Sequence, residues 1–550
     1  KVTRVHACAY SGDKLKSLQV VADYYITVTD PEENFVIDTN GIITEYNGNN
    51  NYLTIPDTID GIVVTGIGKR VFSASDLVMI KLPDTLTYVG EGGFQGCGDL
   101  KSVYCNNLKV VETRGFYLCR EMDTIDLTQL EEVGEYAFSH CTSIPALYNE
   151  KLTTINKCSF NSLNNAIYID LPNVTSVGLM GLWSLQNAEY VNLPKVKTLG
   201  KSALSHMYML ESIDLPELTE ITGSMCFSST RNLKEFNAPK LTNLPDNTFN
   251  YSTIENIELP NVVVLGEEIF YMSNIKSIKL DSVTEISTNA FGDCSDLETL
   301  YLPSATHISS GVFINNLYDD SNTVNIKIFA PNLVSLDSLP EQQGGATLYT
   351  SDKLESITVT PDYDYTIVAP LNSYSKQWTE ENGCNFIPSD YRDSSLSSPV
   401  NVEDKGRSIR VTKTGLRFGF SWNEIPEIEN LASDIKYGFI YHYNYDNTPY
   451  DSSQLTVENI GTDNIKQKTA YNLDHSTEGT TVFNLVFTDI PASNYDTNIS
   501  VRAYVCIDGM YFYSNSLNGS FEEVSSLVLQ DEEIDQNTKN AVEKLLNKEA

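Results

Sequence analysis

A phenylalanine recurs every 22 residues along two thirds of the chain. Phe72, Phe94, Phe116, Phe138 and Phe160 keep strict step; Leu182 and Leu204 hold the beat; Phe227, Phe249, Phe270, Phe291 and Phe313 continue it with slips of one residue. Around each lies the same phrase, seen clearly from Ile80-Lys-Leu-Pro through Tyr88-Val-Gly to Phe94 and Cys97. A fixed period of this size means a solenoid in which each unit packs only on its neighbours. Such an architecture offers a long surface rather than an enclosed pocket.

Each repeat begins with a short strand, such as Ile169-Asp-Leu-Pro172 or Ile213-Asp-Leu-Pro216. The proline cannot donate to a ladder and ends the strand. A polar turn leads to a second extended stretch, as at Val174-Thr-Ser-Val-Gly178, and the phenylalanine with its flanks fills the core from the other side. No segment between strands carries a full helical period, so short turns or 3₁₀ pieces are expected there.

These signals predict a β-rich solenoid over residues 53–388, with repeats of about 22 residues. Residues 1–22 read as a partial repeat with Tyr10 in the phenylalanine column, so the chain reads as a fragment preceded by further repeats. Residues 23–68 carry a hairpin signal around Asn40-Gly41 and are expected to cap the longer run of repeats. An insertion is expected to loop out at 314–325, and Tyr374–Gly383 reads as a short helix capping the array, with Trp378 over the last rung. Residues 389–407, rich in Ser, Asp and Pro, read as a linker. Beyond them Leu416, Phe418, Phe420 and Trp422 alternate with small or polar residues, as do Ile499, Val501, Ala503, Val505 and Ile507. Period two in several runs predicts a C-terminal β-sandwich over 408–529, and residues 530–550 read as a helical tail.

The phrase from Leu77 to Cys97, repeated from Met122 to Cys141, resembles the BspA-type bacterial leucine-rich repeat. The lead-in from Gly41 to Gly61 and the ending from Ile367 to Trp378 are similar to the flanks of such arrays, so the likeness covers roughly residues 35–388. Gly415-Leu-Arg-Phe418, Tyr495-Asp-Thr497 and Val501-Arg-Ala-Tyr504 resemble a β-domain appended to surface proteins of gut bacteria. The resemblance implies leucine-rich repeats on a secreted or cell-surface protein, extracellular, with adhesin-like binding of host matrix proteins, cells or other bacteria. It implies no catalytic residues and no cofactor. A surface glycan-binding protein, or a spacer holding another domain away from the cell, are the alternatives.

Charge narrows the partners further. With 73 acidic against 37 basic residues, the formal charge of −36 disfavours nucleic acid, which needs a basic footprint. No apolar run of about eighteen residues exists to insert into a membrane. The ten cysteines form no CxxC pair, so a zinc site is not expected. Cys97, Cys119, Cys141 and Cys294 each lie three residues after the column phenylalanine, as small buried thiols or as disulfides between adjacent rungs. Gly200-Lys201-Ser202 ends like a phosphate loop, but Lys195 stands where its first glycine is required. None of the six histidines has metal-ligand spacing or a nucleophile beside it; His140 and His206 read as surface or satisfied side chains. Asp446, Asn447 and Asp451 supply oxygens, yet their spacing matches no EF-hand.

The residue between two apolar ones in each strand must face outward. That column runs Lys81, Tyr104, Asp126, Tyr148, Asp170, Asn192, Asp214, Asn237, Glu258, Lys279, Tyr301 and Lys327. With Tyr168 and Tyr190 alongside, the expected ligand face comprises Asp126, Tyr148, Tyr168, Asp170, Tyr190, Asn192 and Asp214, suited to a protein ligand or a glycan. In the C-terminal domain Tyr437, Phe439, Tyr441, Tyr443 and Tyr445 share a strand face, with core packing expected for the first two.

Overall fold

The computed structural model describes residues 4–9, 18–23, 27–314, 324–341, 344–389, 402–411, 414–446, 450–451, 454–471, 473–476 and 479–547. They divide into two units, Lys1–Leu297 with Gly311–Leu317, and Glu298–Ser310 with Tyr318–Ala550.

In the first unit a repeat typically contributes a three-residue and a two-residue strand, such as Tyr168–Asp170 and Ser176–Val177. Each pairs in parallel with its counterpart one repeat away: Ala146 with Tyr168 and Tyr168 with Tyr190; Thr154 with Ser176 and Ser176 with Thr198. The column phenylalanines then fall on one another. Phe94 and Phe116 stack with centroids 4.9 Å apart and planes at 4°, Phe116 and Phe138 at 5.3 Å and 12°, and both spans lie at the rung spacing of a parallel ladder. Phe72 to Phe160 are fully buried. One ring per rung, in contact above and below, is why a strict period is needed: a side chain out of step leaves a void in the column.

The turns around that column depart from the expected turn or 3₁₀ pieces in one respect. Two residues per rung, two positions before and two after the phenylalanine, are left-handed: Arg114 and Leu118 around Phe116, Tyr136 and His140 around Phe138. Each such non-glycine residue costs about 1–2 kcal/mol. The conformation turns its N–H toward the next rung, where Arg114 donates to Glu135 O at 2.9 Å and Leu118 to Ser139 O at 3.0 Å. A net gain of about 1 kcal/mol per hydrogen bond offsets much of the strain.

The column cysteines have a parallel role. Cys119 Sγ donates to Phe94 O at 3.1 Å, Cys141 Sγ to Phe116 O at 3.1 Å and Cys294 Sγ to Phe270 O at 3.0 Å. They are free thiols, and burial pushes that of Cys294 up to about 12, so it stays a neutral donor.

At the start of the chain, within the interval read as a partial repeat, Arg4–Ala9 and Leu18–Asp23 pair antiparallel, whereas a rung stacks in parallel. A hairpin of Phe35–Ile37 and Ile42–Tyr46 follows, turning at Asn40-Gly41. Gly41 sits at φ +84, where a Cβ would approach Val63 O to 2.2 Å, so only glycine fits. Ile42 and Ile43 pair with Gly66 and Ile67, and the hairpin thereby begins the ladder of two-residue strands.

In the second unit the last rungs continue as Thr299–Tyr301, Ile326–Phe329, Ala346–Tyr349 and Tyr365–Ala369, closed by Asn385–Pro388. The helix Tyr374–Asn382 precedes that final strand, ends at left-handed Gly383 and buries Trp378. The insertion expected at 314–325 lies largely outside the described residues. Two four-stranded antiparallel sheets follow: Val402–Arg410, Gly415–Asn423, Thr480–Phe487 and Leu473–His475 in order, and Lys466–Thr469, Ile435–Asn444, Asn498–Ile507 and Met510–Gly519. Leu416, Phe418, Phe420 and Trp422 bury in their common core, as do Val501, Ala503 and Val505.

Two expected boundaries move. Residues 402–407 are not linker but part of the edge strand Val402–Arg410, whose charges guard an edge against mispairing and give a linker-like composition. The rest of that linker, 390–401, lies outside the described residues. The tail helices begin earlier than 530, at Phe521–Gln530, then Gln536–Leu546. Ser520 caps the first by accepting from Glu523 N at 3.0 Å, the start of a capping box that the sandwich reading passed over.

Candidate functional site

The expected ligand face is built on three consecutive strands, Ala146–Tyr148, Tyr168–Asp170 and Tyr190–Asn192. The middle residue of each, Leu147, Ile169 or Val191, buries in the core, so its two neighbours must project outward together. Register then sets Tyr168 beside Tyr190, Tyr148 beside Asp170, and Asp170 beside Asn192.

The two tyrosine rings stack at 4.7 Å and 6°, along the direction in which the rungs pile up. Asp170 ties the group together: Tyr168 Oη donates to its Oδ2 at 3.2 Å and Asn192 Nδ2 to its Oδ1 at 2.8 Å. Partial burial, then the Asp170 charge, push the Tyr168 hydroxyl up to about 12 and that of Tyr190 in the same direction. Both remain neutral donors at physiological pH. Tyr148, exposed, donates to Glu150.

The structure therefore joins Tyr148, Tyr168, Asp170, Tyr190 and Asn192 into one patch. Asp214 lies further along on Ser212–Asp214, exposed, accepting from Asn237 Nδ2 at 2.7 Å. Asp126 does not join them. It turns its carboxylate onto its own Thr128, accepting from N at 2.9 Å and Oγ1 at 2.7 Å, as a short polar side chain after a strand does.

Two residues of the outward column are corrected. Tyr301 is fully buried, and Lys327 is not its successor, because register pairs Tyr301 with Phe329 and Lys327 with Thr299. Tyr301, Phe329, Tyr349, Val368 and Ile387 form the true column there, and they share one apolar core with Trp422, Phe439 and Phe512 of the sandwich. Tyr301 and Phe329 stack at 4.8 Å, and the Tyr301 hydroxyl donates to Asp508, which also accepts from Ser433 N at 2.9 Å and Asp434 N at 2.7 Å. Sequence alternation cannot separate an outward residue that meets water from one that meets another layer.

Sequence reasoning also missed a ring cluster on the turn side. Trp183 and His206 lie 5.3 Å apart, His206 and Tyr208 5.9 Å, with Arg231 5.3 Å over Tyr208. Burial, then the Arg231 charge, hold His206 below its ordinary value. The signal was their place beside the column leucines, where His206 reads as a surface or satisfied side chain; the three rings are half-buried. On the sandwich strand Ile435–Asn444, Tyr437 and Phe439 are core, as expected, while Tyr445 beyond it is 73% exposed. Asn447 lies outside the described residues. Among the described residues no three His, Cys, Asp or Glu side chains gather as a metal site, and no helix is long and apolar enough to cross a membrane.

The stacked units of about 22 residues, with their paired strands and core column, match a known repeat model in six copies, within residues 65–178, 146–255 and 197–318. Residues 65–318 are a BspA-type leucine-rich repeat region. Several solved structures are similar to this chain. A leucine-rich cell surface protein from Faecalibacterium prausnitzii A2-165 is 20% identical, over 68% of this chain and 100% of its own, at a TM-score of 0.38. The pneumococcal vaccine antigen PcpA is 15% identical, over 61% of this chain and 78% of its own, at 0.29. A Treponema pallidum leucine-rich repeat protein is 17% identical, over 44% and 88%, at 0.22. No curated protein matches the chain significantly.

Proposed function

We propose that this chain is a non-enzymatic bacterial cell-surface or secreted protein, adhesin-like, that holds a macromolecular ligand on the outward strand face of its BspA-type repeats. The observation that carries this reading is the partly exposed patch of Tyr148, Tyr168, Asp170, Tyr190 and Asn192, extended by Asp214, on strands whose register sets these residues side by side. Aromatic rings held rigid by stacking lose little entropy on binding, as contact residues should. A protein ligand from a host matrix or cell surface fits this face better than a glycan. Sugar platforms lay several ring faces open, whereas Tyr168 and Tyr190 cover one face of each with the other and leave open the face of Tyr190 that Ser212 does not reach. The test is binding of the purified chain to arrays of matrix proteins and of glycans at physiological salt. A protein signal lost in Asp170→Lys supports the reading. A glycan signal instead would make this a surface glycan-binding protein, and silence on both arrays would leave a spacer.

A further inference from the structure

The tyrosine stack stops abruptly. Tyr190 has Tyr168 against one ring face, and the next residue of that column, 22 positions on, is Ser212. A serine is too short to reach the ring, and Tyr190 is left 47% exposed with Tyr168 as its one ring neighbour among the described residues. The missing ring leaves a slot beside Tyr190, and from Ser212 onward a hollow runs across three rungs of the strand face, its lining including Ser212, Asp214, Lys234, Glu235, Asn237 and Glu258. Glu255, also in its lining, pairs with Lys276 at 2.7 Å. Of the lining charges, carboxylates thus outnumber the single lysine.

We infer that this slot takes an arginine side chain of the protein ligand, its guanidinium stacked on the free face of Tyr190 and hydrogen-bonded to Asp214, with Glu235 supplying charge from the next rung. The inference rests on the strand-face reading above and names the partner chemistry: an extended, arginine-bearing peptide segment. Three features select arginine. Ser212 leaves one position of the column without a bulky side chain, and one rung, about 4.8 Å, is room for a planar group against the ring. A guanidinium is planar, stacks on aromatic faces and is weakly hydrated, whereas an ammonium is a compact, strongly hydrated point charge. Asp214 Oδ1 already accepts from Asn237 Nδ2 at 2.7 Å, which fixes the carboxylate and leaves Oδ2 for a donor from the guest.

The probes are blocked hexa-arginine and hexa-lysine peptides, titrated calorimetrically into the full chain at 150 mM salt. Hexa-arginine should bind at least about fivefold more tightly, the margin that ring stacking adds beyond charge. Tyr190→Ala should abolish that preference and Tyr190→Phe should keep it, since the ring face acts and not the hydroxyl. Ser212→Tyr should block the slot while leaving Tyr190 in place, a control against loss of fold. Equal binding of the two peptides, or a preference untouched by Tyr190→Ala and Ser212→Tyr, would overturn the slot. If the array signal still depended on Asp170 in that case, the strand-face reading would survive and only its arginine partner would fall.

Discussion

The same repeat position meets opposite fates in two regions of this molecule. From Tyr148 to Lys279 the outward strand column is polar or half-exposed, with Asn192 donating to Asp170 and Asn237 to Asp214 across adjacent rungs. From Tyr301 to Ile387 it is aromatic or aliphatic and buried in the core shared with the sandwich. Both regions are built from parallel strand pairs. What differs is the second layer, and the comparison teaches that a solenoid face is a neutral platform whose role is set by what covers it.

The largest effects should expose that difference directly. Phe329→Ala, on the outward column of the last rungs, is expected to destabilise the second unit by about 3–5 kcal/mol, as a core truncation does. Phe138→Ala should cost the first unit a similar amount and spread to neighbouring rungs, because each rung is supported only by the next. Calorimetric unfolding checks both. If Phe329→Ala melted like the parent, the terminal rungs would not share a core with the sandwich. A finer probe is Tyr301→Phe, which keeps the ring and removes the hydroxyl given to Asp508. A loss of about 1.5–3 kcal/mol is expected for a hydrogen bond to a buried-side carboxylate.

Acid should separate the regions by sign. Hydrogen bonds from Lys69, Lys109 and Lys240 on adjacent rungs hold Glu91, Glu131 and Glu217 below the ordinary value of 4.5. Their contribution is present above pH 4.5 and lost as pH falls through the lowered values of the folded state. Glu429 of the sandwich goes the other way. Burial raises it, although Trp422 Nε1 and Ile425 N both donate to its Oε1 at 2.7 Å. Its contribution is best below 4.5 and lost as pH rises toward the raised folded value. Glu429→Gln should therefore stabilise the chain at pH 7 and do nothing at pH 3, in melts run at both. Stabilisation at neither pH would mean that the two donors outweigh the cost of burial.

The smallest expected effect completes the contrast. Tyr190→Ala, in the exposed stretch, should change stability by no more than about 0.5 kcal/mol, as surface substitutions do, while altering binding. A core-sized loss there would mean that the tyrosine stack holds the rungs together instead of waiting for a ligand.

Much of this was legible in the chain, for reasons specific to each element. The phenylalanine column could be read because one rung determines the next, so a local period carries the long-range contact. The hairpin at Asn40-Gly41 and the helix ended by Gly383 could be read because a left-handed turn residue leaves a local mark. Val402–Arg410 was misread because edge strands and linkers share a charged composition, and only the partner strand Gly415–Asn423 distinguishes them.

The sequence alone determined the solenoid, its period and which residues point away from its core, since strand alternation and rung stacking are short-range rules. Tertiary structure decided the rest. It covered Tyr301 and Phe329 and left Tyr190 open, stacked two tyrosines face to face, and ended that stack at Ser212, where a hollow begins. Whether an outward side chain meets water, a ring or another layer depends on groups distant in the chain, and no local pattern encodes that distance.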